Sequence, residues 1–400
     1  MDYLLKGIRV IDAATFLAAP ASATILADFG ADVIKVEPPG GDVYRTLVGR
    51  HPVPYHWQLT SRNKRSICLD LKRLEGQDVL HRLVADADVL LTNFLGKQLE
   101  EFRMTYEELK AINPRLVFAQ MTGYGKRGPE VRRRAFDVTA WWARSGIMEF
   151  TRDKGQQPLQ SAPGMGDHTT SLAMYGAIMT GLYRRERTGE GCQVTTSLAA
   201  SGAWVNGMAV QGVIAGVDLG AIRQERGWAN PFRITLPTGD GRYVALAIIN
   251  TDREWPGLAK ALGHPEWLED PRFADMRSLM RNRDDLIELM WAASSRLTQA
   301  QLMERLDAHE VTCGVVARMS EVVVDEQLRA NDIVVETHDA GEGYDYTINS
   351  PIFLEEEGKR PPQRAPEIGA HTEEVLGEAG YSQDEIRTLL DAEVAFGQAN

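Results

Sequence analysis

The chain has 400 residues, of which 44% are hydrophobic and 25% are charged, and this length allows two domains with buried cores. Its formal net charge of -12 argues against nucleic acid as a partner, because a phosphate backbone is bound by a basic surface. No apolar run is long enough to cross a bilayer and residues 1–7 lack the regions of a secretory signal, so we expect a cytoplasmic protein with no membrane partner. Three widely spaced cysteines without a CxxC pair predict free thiols and no metal site.

The N-terminal stretch has the pattern of a strand, a helix and a second strand. Apolar runs at 7–12 and 31–37 predict buried strands, and the Ala- and Leu-rich stretch 20–29 predicts the helix between them. Such a βαβ unit suggests dinucleotide binding, with Glu37 at the position of a ribose-binding acid. The turn at 12–20 contains no glycine that would let a pyrophosphate approach, so the sequence disfavours a nicotinamide or flavin cofactor.

Strands and helices continue to alternate as far as residue 198. The predicted strands lie within 63–72, 88–92, 116–121 and 191–198, and the predicted helices at 75–85, 105–112 and 164–187. This alternation predicts an α/β fold, with a Rossmann-like, largely parallel sheet and helices on both faces. Because ligands bind at the carboxyl ends of parallel strands, the polar turns at 35–42, 93–94 and 123–137 are candidate ligand contacts.

A smaller α+β domain is predicted after a change in composition. Strands within 231–250 meet at a Thr-Gly-Asp-Gly turn, and helices follow at 252–262, 284–295 and 298–308. Short helices at 372–376 and 382–391 end the chain. We expect a large domain formed by 1–205 and 325–400, a linker at 206–224, and a small domain at 225–324.

The strongest basic cluster of this acidic protein follows the glycine-rich turn Gly123-Tyr124-Gly125. Its members are Lys126, Arg127, Arg132, Arg133 and Arg134. A run of like charges is most often a solvated loop. Its position after a strand end also suits a phosphorylated ligand, which needs both cations and flexible backbone.

Asp167 lies where a loop rich in small residues becomes a helix. An Asp at this position most often caps the helix through free backbone N–H groups. A carboxylate beside glycines is also accessible to a substrate, and neighbouring N–H groups can stabilise an oxyanion, so a nucleophile is the second interpretation.

A set of short motifs, distributed along nearly the whole chain, carries a family resemblance. The motifs are LKGIRVID (5–12), LADFGADVIKVE (26–37), NKRSI (63–67), NPRLV (113–117), GYG (123–125), GP (128–129), FD (136–137), GD (166–167), TGEG (188–191) and GAHTEEVL (369–376). In this order and spacing they resemble the class III coenzyme A transferases, also called the CaiB/BaiF family, which include formyl-CoA, carnitine and bile-acid CoA-transferases.

The resemblance implies that Asp167 attacks the thioester of an acyl-CoA donor. A mixed anhydride and an aspartyl-CoA thioester would follow, and CoA would pass to a carboxylic acid acceptor. CoA is then a substrate, with no tightly bound cofactor. The residues expected to contact CoA are Leu69, Lys72, Asn93, Phe94, Gly123, Tyr124, Gly125 and Asp137. We add Lys126 and Arg127 as phosphate contacts on the basis of charge alone.

The sequence departs from the family after Asn93-Phe94, where Leu95-Gly96-Lys97 replaces the usual Arg-Pro-Gly and Glu101 replaces a basic residue. Lys97 or Arg103 are candidates to compensate.

Two other functions are alternatives: a 2-methylacyl-CoA racemase of the same family and a non-enzymatic acyl-CoA binding protein. The racemase needs a second acid/base group, and Phe136 occupies the position of its histidine. His168 is the candidate substitute.

The resemblance also implies an interlocked homodimer, with each active site between the large domain of one chain and the small domain of the other.

Trp141 and Trp142 are either helix core or the wall of an acyl pocket. Arg223, Arg226 and Arg233 are candidates to pair with a substrate carboxylate. The glycine run that forms a lid in the formyl-CoA branch is absent between Gln224 and Pro231, which argues against a formyl-CoA/oxalate specificity.

Overall fold

The computed structural model describes residues 3–47, 54–226, 230–339 and 344–398. The chain forms two compact units. The first comprises Met1–Thr151, Leu159–Gln211 and Glu326–Asn400, and the second comprises Arg152–Pro158 and Gly212–Asp325. None of the helices in the described ranges combines the length and apolar character that a membrane-spanning segment requires.

The first unit is built on a seven-stranded sheet, counted over the described residues, with the strand order β12-β3-β2-β1-β4-β5-β6. These strands are β1 (Arg9–Asp12), β2 (Asp32–Glu37), β3 (Arg65–Leu69), β4 (Val89–Thr92), β5 (Val117–Thr122), β6 (Cys192–Ser197) and β12 (Ala395–Phe396). Strands β1 to β6 are parallel to their neighbours, whereas β12 pairs antiparallel with β3. The predicted α/β fold with a largely parallel sheet is confirmed, and the short β12 adds an edge strand that the sequence did not predict.

The first unit contains most of the helices. They are α1 (Ala18–Asp28), α2 (Tyr55–Ser61), α3 (Leu74–Ala85), α4 (Gly96–Glu101), α5 (Tyr106–Ile112), α6 (Ile147–Phe150), α7 (Met165–Thr188), α8 (Leu198–Val205), α9 (Gly207–Ile214, which ends in the second unit), α16 (Glu326–Ala330), α17 (Thr372–Glu378) and α18 (Gln383–Asp391). A 3-10 turn at Val43–Thr46 and a π-helix at Asp137–Ala143 complete the set, together with the hairpin of β10 (Val334–Glu336) and β11 (Tyr346–Ile348).

Two apolar cores cover the two faces of the sheet. Alternate residues of a strand point to opposite faces. On β1, Ile11 therefore lies in the core that includes α3, α5, α17 and α18, whereas Val10 lies in the core that includes α1 and α7. Burial on both faces explains why β1, β2 and β4 contain consecutive Val, Ile or Leu residues.

The second unit has its own core beneath a small antiparallel sheet of β7 (Thr235–Pro237), β8 (Tyr243–Leu246) and β9 (Cys313–Val315). Its helices are α10 (Leu219–Arg226), α11 (Thr251–Ala261), α12 (Met276–Arg281), α13 (Arg283–Ser294), α14 (Gln299–Ala308) and α15 (Met319–Val322), with a 3-10 turn at Pro265–Leu268. Gly241, with φ of 71°, completes the turn between β7 and β8. The predicted small domain at 225–324 lies within this unit, which also includes Arg152–Pro158 and begins at Gly212, inside the predicted linker at 206–224.

Candidate active site

A cavity of about 410 Å³ lies at the carboxyl ends of the central strands, where the strand order reverses between β1 and β4. Open α/β sheets bind their ligands at this switch point. The cavity is lined by Thr15, Phe16, Leu17, Ala18, Asn93, Leu95, Gln98, Met121, Thr122, Gly123, Arg133, Arg134, Ala135, Phe136, Asp167 and Leu198. The turns after β1, β4 and β5 therefore meet the start of α7 in one place.

The turn after β1 is fixed by side chains from two other segments. The Thr15 N–H donates to Asn93 Oδ1 at 3.0 Å, and Asn93 Nδ2 donates to the Thr15 carbonyl at 2.8 Å. The Phe16 N–H donates to the Asp42 carboxylate, at 3.1 Å from its Oδ2. Phe16 has a φ of 69°, which an L-residue rarely adopts, so these contacts hold the turn in an unusual conformation.

A buried group of four charges lies beneath this turn. Lys35 Nζ is 3.3 Å from Asp42 Oδ2 and 3.9 Å from Asp12 Oδ1, and Lys64 Nζ is 2.9 Å from Asp12 Oδ2. Lys35 also donates to the Ala14 carbonyl. Burial opposes charge on these groups, yet the two lysines hold the pKa of Asp12 below its usual value. The pairing keeps the charges in place and anchors both ends of the turn.

Asp167 lies in the first turn of α7 and its side chain is only 8% exposed. Gly164, with φ of 76°, is the residue that precedes the helix, so the interpretation of Asp167 as the N-cap is wrong. Within the described part of the chain, its carboxylate has no hydrogen bond or ion pair. Burial and, to a lesser degree, the charge of Asp137 raise the pKa of Asp167 to about 7.

Asp137 approaches Asp167 from the start of the π-helix. Its Oδ1 accepts a hydrogen bond from the Val138 N–H at 2.6 Å, and its buried Oδ2 has no partner among the described residues. Gly166 makes this approach possible, because a Cβ there would lie 2.9 Å from the Asp137 Cβ. Two carboxylates are thus close together, and no cation in the described part of the chain pairs with them, an arrangement that favours protonation of one.

Phe16 and Phe136 line the cavity, and the Tyr44 ring packs against Phe16. The rings of Phe16 and Phe136 are 5.5 Å apart at 63°, and those of Phe16 and Tyr44 are 5.0 Å apart. Burial and the nearby carboxylates of Asp167 and Asp42 raise the pKa of the Tyr44 hydroxyl. Phe136 is 57% exposed. Phe16 could not be predicted as a site residue, because a positive φ at a phenylalanine has no signal in sequence, and Tyr44 is connected to the site through its contact with Phe16.

Only some of the predicted CoA contacts lie together at the Asp167 cavity. Asn93 and Gly123 line the cavity with Asp167, and a Cβ on Gly123 would lie 2.2 Å from that of Ala135. Asp137 is beside Asp167, as described above. The others do not line this cavity: Leu69, Lys72, Phe94, Tyr124, Gly125, Lys126 and Arg127. Among these, Leu69 is fully buried in β3, and Lys72, Lys126 and Arg127 are exposed.

The basic cluster contributes different residues from those predicted as phosphate contacts. Arg133 and Arg134 line the cavity, whereas Lys126 and Arg127 do not. Arg133 pairs with Glu130 and lies 5.7 Å from the Tyr124 ring centroid. Arg134 has no ion pair within the described ranges and is the more available cation.

Trp141 and Trp142 are core residues. Their rings stack at 6.0 Å and 8°, they are 3% and 8% exposed, and they pack with Ala140, Ile147 and Leu198. Neither ring lines the Asp167 cavity. The core interpretation is therefore the correct one for this chain.

The arginines predicted to pair with a substrate carboxylate belong to the second unit. Arg223 is buried and pairs with Asp153 at 3.0 Å, and Arg233 is exposed. The Arg226 side chain lies outside the described residues, as do residues 227–229, which belong to the stretch where the formyl-CoA branch has its glycine run.

Comparison with known proteins gives a consistent result. The family model CoA-transferase family III matches residues 5–372. The (R)-2-hydroxy-4-methylpentanoate CoA-transferase of Clostridioides difficile is 31% identical over 398 residues, with 98% of this chain and 99% of that protein covered. The cinnamoyl-CoA:phenyllactate CoA-transferase of Clostridium sporogenes is 32% identical, with 96% of each covered.

A solved structure has the same fold over nearly the whole chain. The crystal structure of a CAIB/BAIF family protein from Brucella suis has a TM-score of 0.83 and 28% identity, and the match covers 95% of this chain and 100% of that one. With the family model, the relatives and the fold in agreement, the chain belongs to the family III CoA-transferases.

Proposed function

We propose that the chain transfers CoA from an acyl-CoA donor to a carboxylic acid acceptor, with Asp167 as the covalent carrier. The observation that carries this proposal is the Asp167 carboxylate itself: buried, unpaired within the described residues, and at the ligand-binding edge of the sheet. A structural carboxylate at this depth is ordinarily paired or hydrogen-bonded, because burial of a lone charge is costly. A nucleophile must instead keep its oxygens free.

In the first half-reaction, an Asp167 oxygen attacks the thioester carbonyl carbon. The C–S bond breaks, CoA leaves as a thiolate, and an acyl-aspartyl anhydride forms. The thiolate then attacks the Asp167 carbonyl carbon and expels the donor acid as a carboxylate. Asp167 now holds CoA as a thioester.

In the second half-reaction, the acceptor carboxylate attacks the Asp167 thioester and expels the CoA thiolate. The thiolate attacks the acceptor carbonyl of the new anhydride, which releases the product acyl-CoA and restores the Asp167 carboxylate. Bonds of similar energy are exchanged at each step, so neither ATP nor an oxidant is consumed. Water must be excluded, because hydrolysis of either anhydride would discard the thioester energy.

The raised pKa of Asp167 has two consequences for this chemistry. Below about pH 7 the carboxyl is largely protonated and cannot attack, so the free enzyme gains activity as the pH rises. Once ionised, a carboxylate of high pKa is a better nucleophile than an ordinary one, because its charge is poorly solvated. The free N–H groups at the start of α7 are positioned on the same element to stabilise an oxyanion.

CoA would occupy the switch-point cavity. We propose Asn93, Gly123 and Asp137 as the predicted contacts nearest the reacting end, and Arg134 as a cation for a phosphate or a carboxylate. The remaining predicted contacts do not line this cavity and stay predictions. Leu69 and Lys72 are expected near the adenine, Phe94 along the nucleotide, Tyr124 and Gly125 near the thioester, and Lys126 and Arg127 at the phosphates.

A racemase is not favoured by these observations. Phe136 cannot exchange a proton, and the substitute base His168 lines a different cavity, with Leu59, Arg62 and Ile348. His168 therefore does not oppose Asp167 across one bound substrate, as a two-base proton transfer requires.

We also propose that the protein is a homodimer. In the first unit, Trp204 is 86% exposed and Met208 is 81% exposed, and no residue of α9 is buried. Large apolar side chains that are exposed near one another along the chain mark an interaction surface. A second copy of the chain is the partner that the family resemblance implies.

Trapping with hydroxylamine tests the covalent proposal. The protein is incubated with acetyl-CoA or 3-phenylpropanoyl-CoA, treated with hydroxylamine and digested with trypsin. An activated Asp167 becomes a hydroxamate on the peptide 155–184, in which it is the only side-chain carboxylate. The Asp167→Asn variant is the control. CoA transfer with an unmodified peptide 155–184 would reject Asp167 as the carrier.

A further inference from the structure

Two phenylalanine residues line the cavity that Asp167 also lines. Phe16, on the turn after β1, and Phe136, directly before the π-helix, meet edge to face at 5.5 Å. Phe136 is 57% exposed although it contacts another ring, so packing in the core does not explain why a phenylalanine stands at this position. An exposed aromatic residue next to a reactive carboxylate is a candidate substrate contact.

The backbone at Phe16 is strained, and the strain is independent evidence. A φ of 69° costs a non-glycine residue energy that a glycine at the same place would avoid. Strained residues of this kind cluster at functional sites, where neighbouring groups enforce them. Here the enforcement comes from Asp42, which accepts from the Phe16 N–H, and from Asn93, which binds both polar backbone groups of Thr15.

Asp42 is itself held on several sides. Its carboxylate accepts from the Tyr44 N–H at 3.0 Å and lies 3.3 Å from Lys35 Nζ. The turn is therefore rigid, and the Phe16 ring is supported by the Tyr44 ring behind it at 5.0 Å. A rigid ring that is already immobilised loses little entropy when a ligand binds to it.

The side chains around the two phenylalanine rings indicate which part of a substrate they contact. Leu17 and Leu198 line the same cavity as the rings. A hydrocarbon group that covers these side chains binds more tightly, because apolar surface is removed from water. A formyl or acetyl group is too small to cover two phenyl rings. We propose, on the basis of the covalent function above, that Phe16 and Phe136 contact the acyl group and select arene-bearing or branched hydrocarbon acyl chains over one- and two-carbon acids.

A self-exchange assay tests this selectivity without knowledge of the natural acceptor. Each acyl-CoA is mixed with its own deuterated acid, and label entering the acyl-CoA is followed by mass. The donors are 3-phenylpropanoyl-CoA, 4-methylpentanoyl-CoA, succinyl-CoA and acetyl-CoA. We expect kcat/KM for the phenylpropanoyl and methylpentanoyl chains to exceed that for acetyl by at least about tenfold, the discrimination that a few methylenes provide.

Four proteins are compared: wild type, Phe136→Ala, Phe16→Ala and Tyr183→Ala. Phe136 is exposed, so its removal leaves the fold intact even if Phe16→Ala weakens it. Tyr183 is 65% exposed on α7, sixteen residues beyond Asp167 by numbering, and serves as the matched aromatic control. We expect Phe136→Ala to lower kcat/KM for phenylpropanoyl-CoA by about 10- to 100-fold and for acetyl-CoA by less than about threefold.

Three outcomes separate the hypotheses. An equal loss for all donors would overturn the proposal, because it would place the rings against CoA itself. A wild-type preference for acetyl-CoA or succinyl-CoA would overturn it too, while leaving Asp167 as the carrier. Absence of exchange with every donor, together with no hydroxamate at Asp167, would reject the proposed function and this inference with it.

Discussion

The Asp167 carboxylate is buried and has no hydrogen-bond or ion-pair partner among the residues that the structure describes, and these two properties together determine its pKa. Removing a carboxylate from water disfavours its charged form, and the neighbouring Asp137 charge adds to the effect. The result is a side chain that is neutral in mild acid and charged in mild base. In the free protein, the ionised form of Asp167 therefore lowers the free energy of unfolding.

That cost should appear in the pH dependence of unfolding. The pKa of Asp167 is about 7 in the folded protein, above its unfolded value near 4, so folding favours the protonated form. Stability relative to an uncharged residue is therefore lost as the pH rises from about 4 to about 7. We expect Asp167→Asn to match wild type near pH 4 and to be more stable by on the order of 2 to 4 kcal/mol near pH 8.

Unfolding midpoints measured by calorimetry across this pH range check the expectation. A difference between the two proteins that is the same at all pH values would contradict the account of Asp167 as a buried, unpaired carboxyl.

The charge on Asp137 should affect the pH at which the enzyme becomes active. Replacing it with Asn removes a neighbouring negative charge, which lowers the pKa of Asp167. We expect the rise of kcat/KM with pH to begin at lower pH in Asp137→Asn than in wild type. Glu107→Gln, an equal charge change at an exposed position of α5, is the control and should leave the profile in place. A shift to higher pH would contradict the argument.

Sequence alone could indicate Asp167 as the proposed carrier but not how its side chain is held. The glycines around Asp167 and the family motifs point to it. Whether the helix begins at Asp167 or before it depends on Gly164, whose positive φ only the structure reveals. The hydrogen bonds of Asn93 to Thr15 join residues 78 positions apart, so its role in fixing the turn was equally hidden.

At the scale of elements, the site depends on the contact between the start of α7 and the π-helix at Asp137–Ala143. Gly166 lies at this contact, and a Cβ there would be 2.7 Å from the Trp141 Cβ. No side chain fits without separating the two helices. Both candidate carboxylates belong to these elements, so their separation would change the site directly.

Two alanine substitutions in α7 test this contact. Gly166→Ala should destabilise the protein by about 1 to 3 kcal/mol through overpacking and abolish CoA transfer. Gly176→Ala, in the same helix with no atom within 4 Å of the new Cβ, should stabilise it by about 0.5 to 1 kcal/mol and keep activity. Chemical denaturation and the self-exchange assay report both properties. A Gly166→Ala protein as stable and active as Gly176→Ala would refute the packing argument.

The order of strands and helices was largely accessible from sequence because buried parallel strands are apolar runs separated by helical periodicity. Strand β12 was not, since two residues carry no periodic signal and pair with β3 across more than three hundred positions. The π-helix was missed for a related reason: its turns are set by packing against Gly166 and Gly202 rather than by its own sequence.

At the scale of the whole molecule, α8 and α9 expose large apolar side chains that a single chain leaves uncovered. Trp204 and Met208 expose most of their surface, although side chains of this size are strongly favoured in interfaces. We expect the protein to sediment at twice its chain mass of 44.4 kDa.

Charged substitutions on these helices should disrupt that assembly. Trp204→Glu and Met208→Glu together are expected to yield monomers in sedimentation velocity and to lose CoA transfer. Met319→Glu, at a methionine that is 84% exposed in the second unit, is the matched control and should remain dimeric. A double variant that stays dimeric and active would place the dimer contact elsewhere.

The most direct test of the central claim follows oxygen atoms from the acceptor acid. With a heavy isotope in both carboxylate oxygens of the acceptor, each turnover leaves one labelled oxygen on Asp167 and carries the other into the product thioester. Trypsin separates Asp167, on the peptide 155–184, from Asp137, on the peptide 135–144, and each is the only side-chain carboxylate of its peptide. The account predicts label in 155–184 alone. Label in 135–144, or in neither peptide while CoA transfer proceeds, would contradict it.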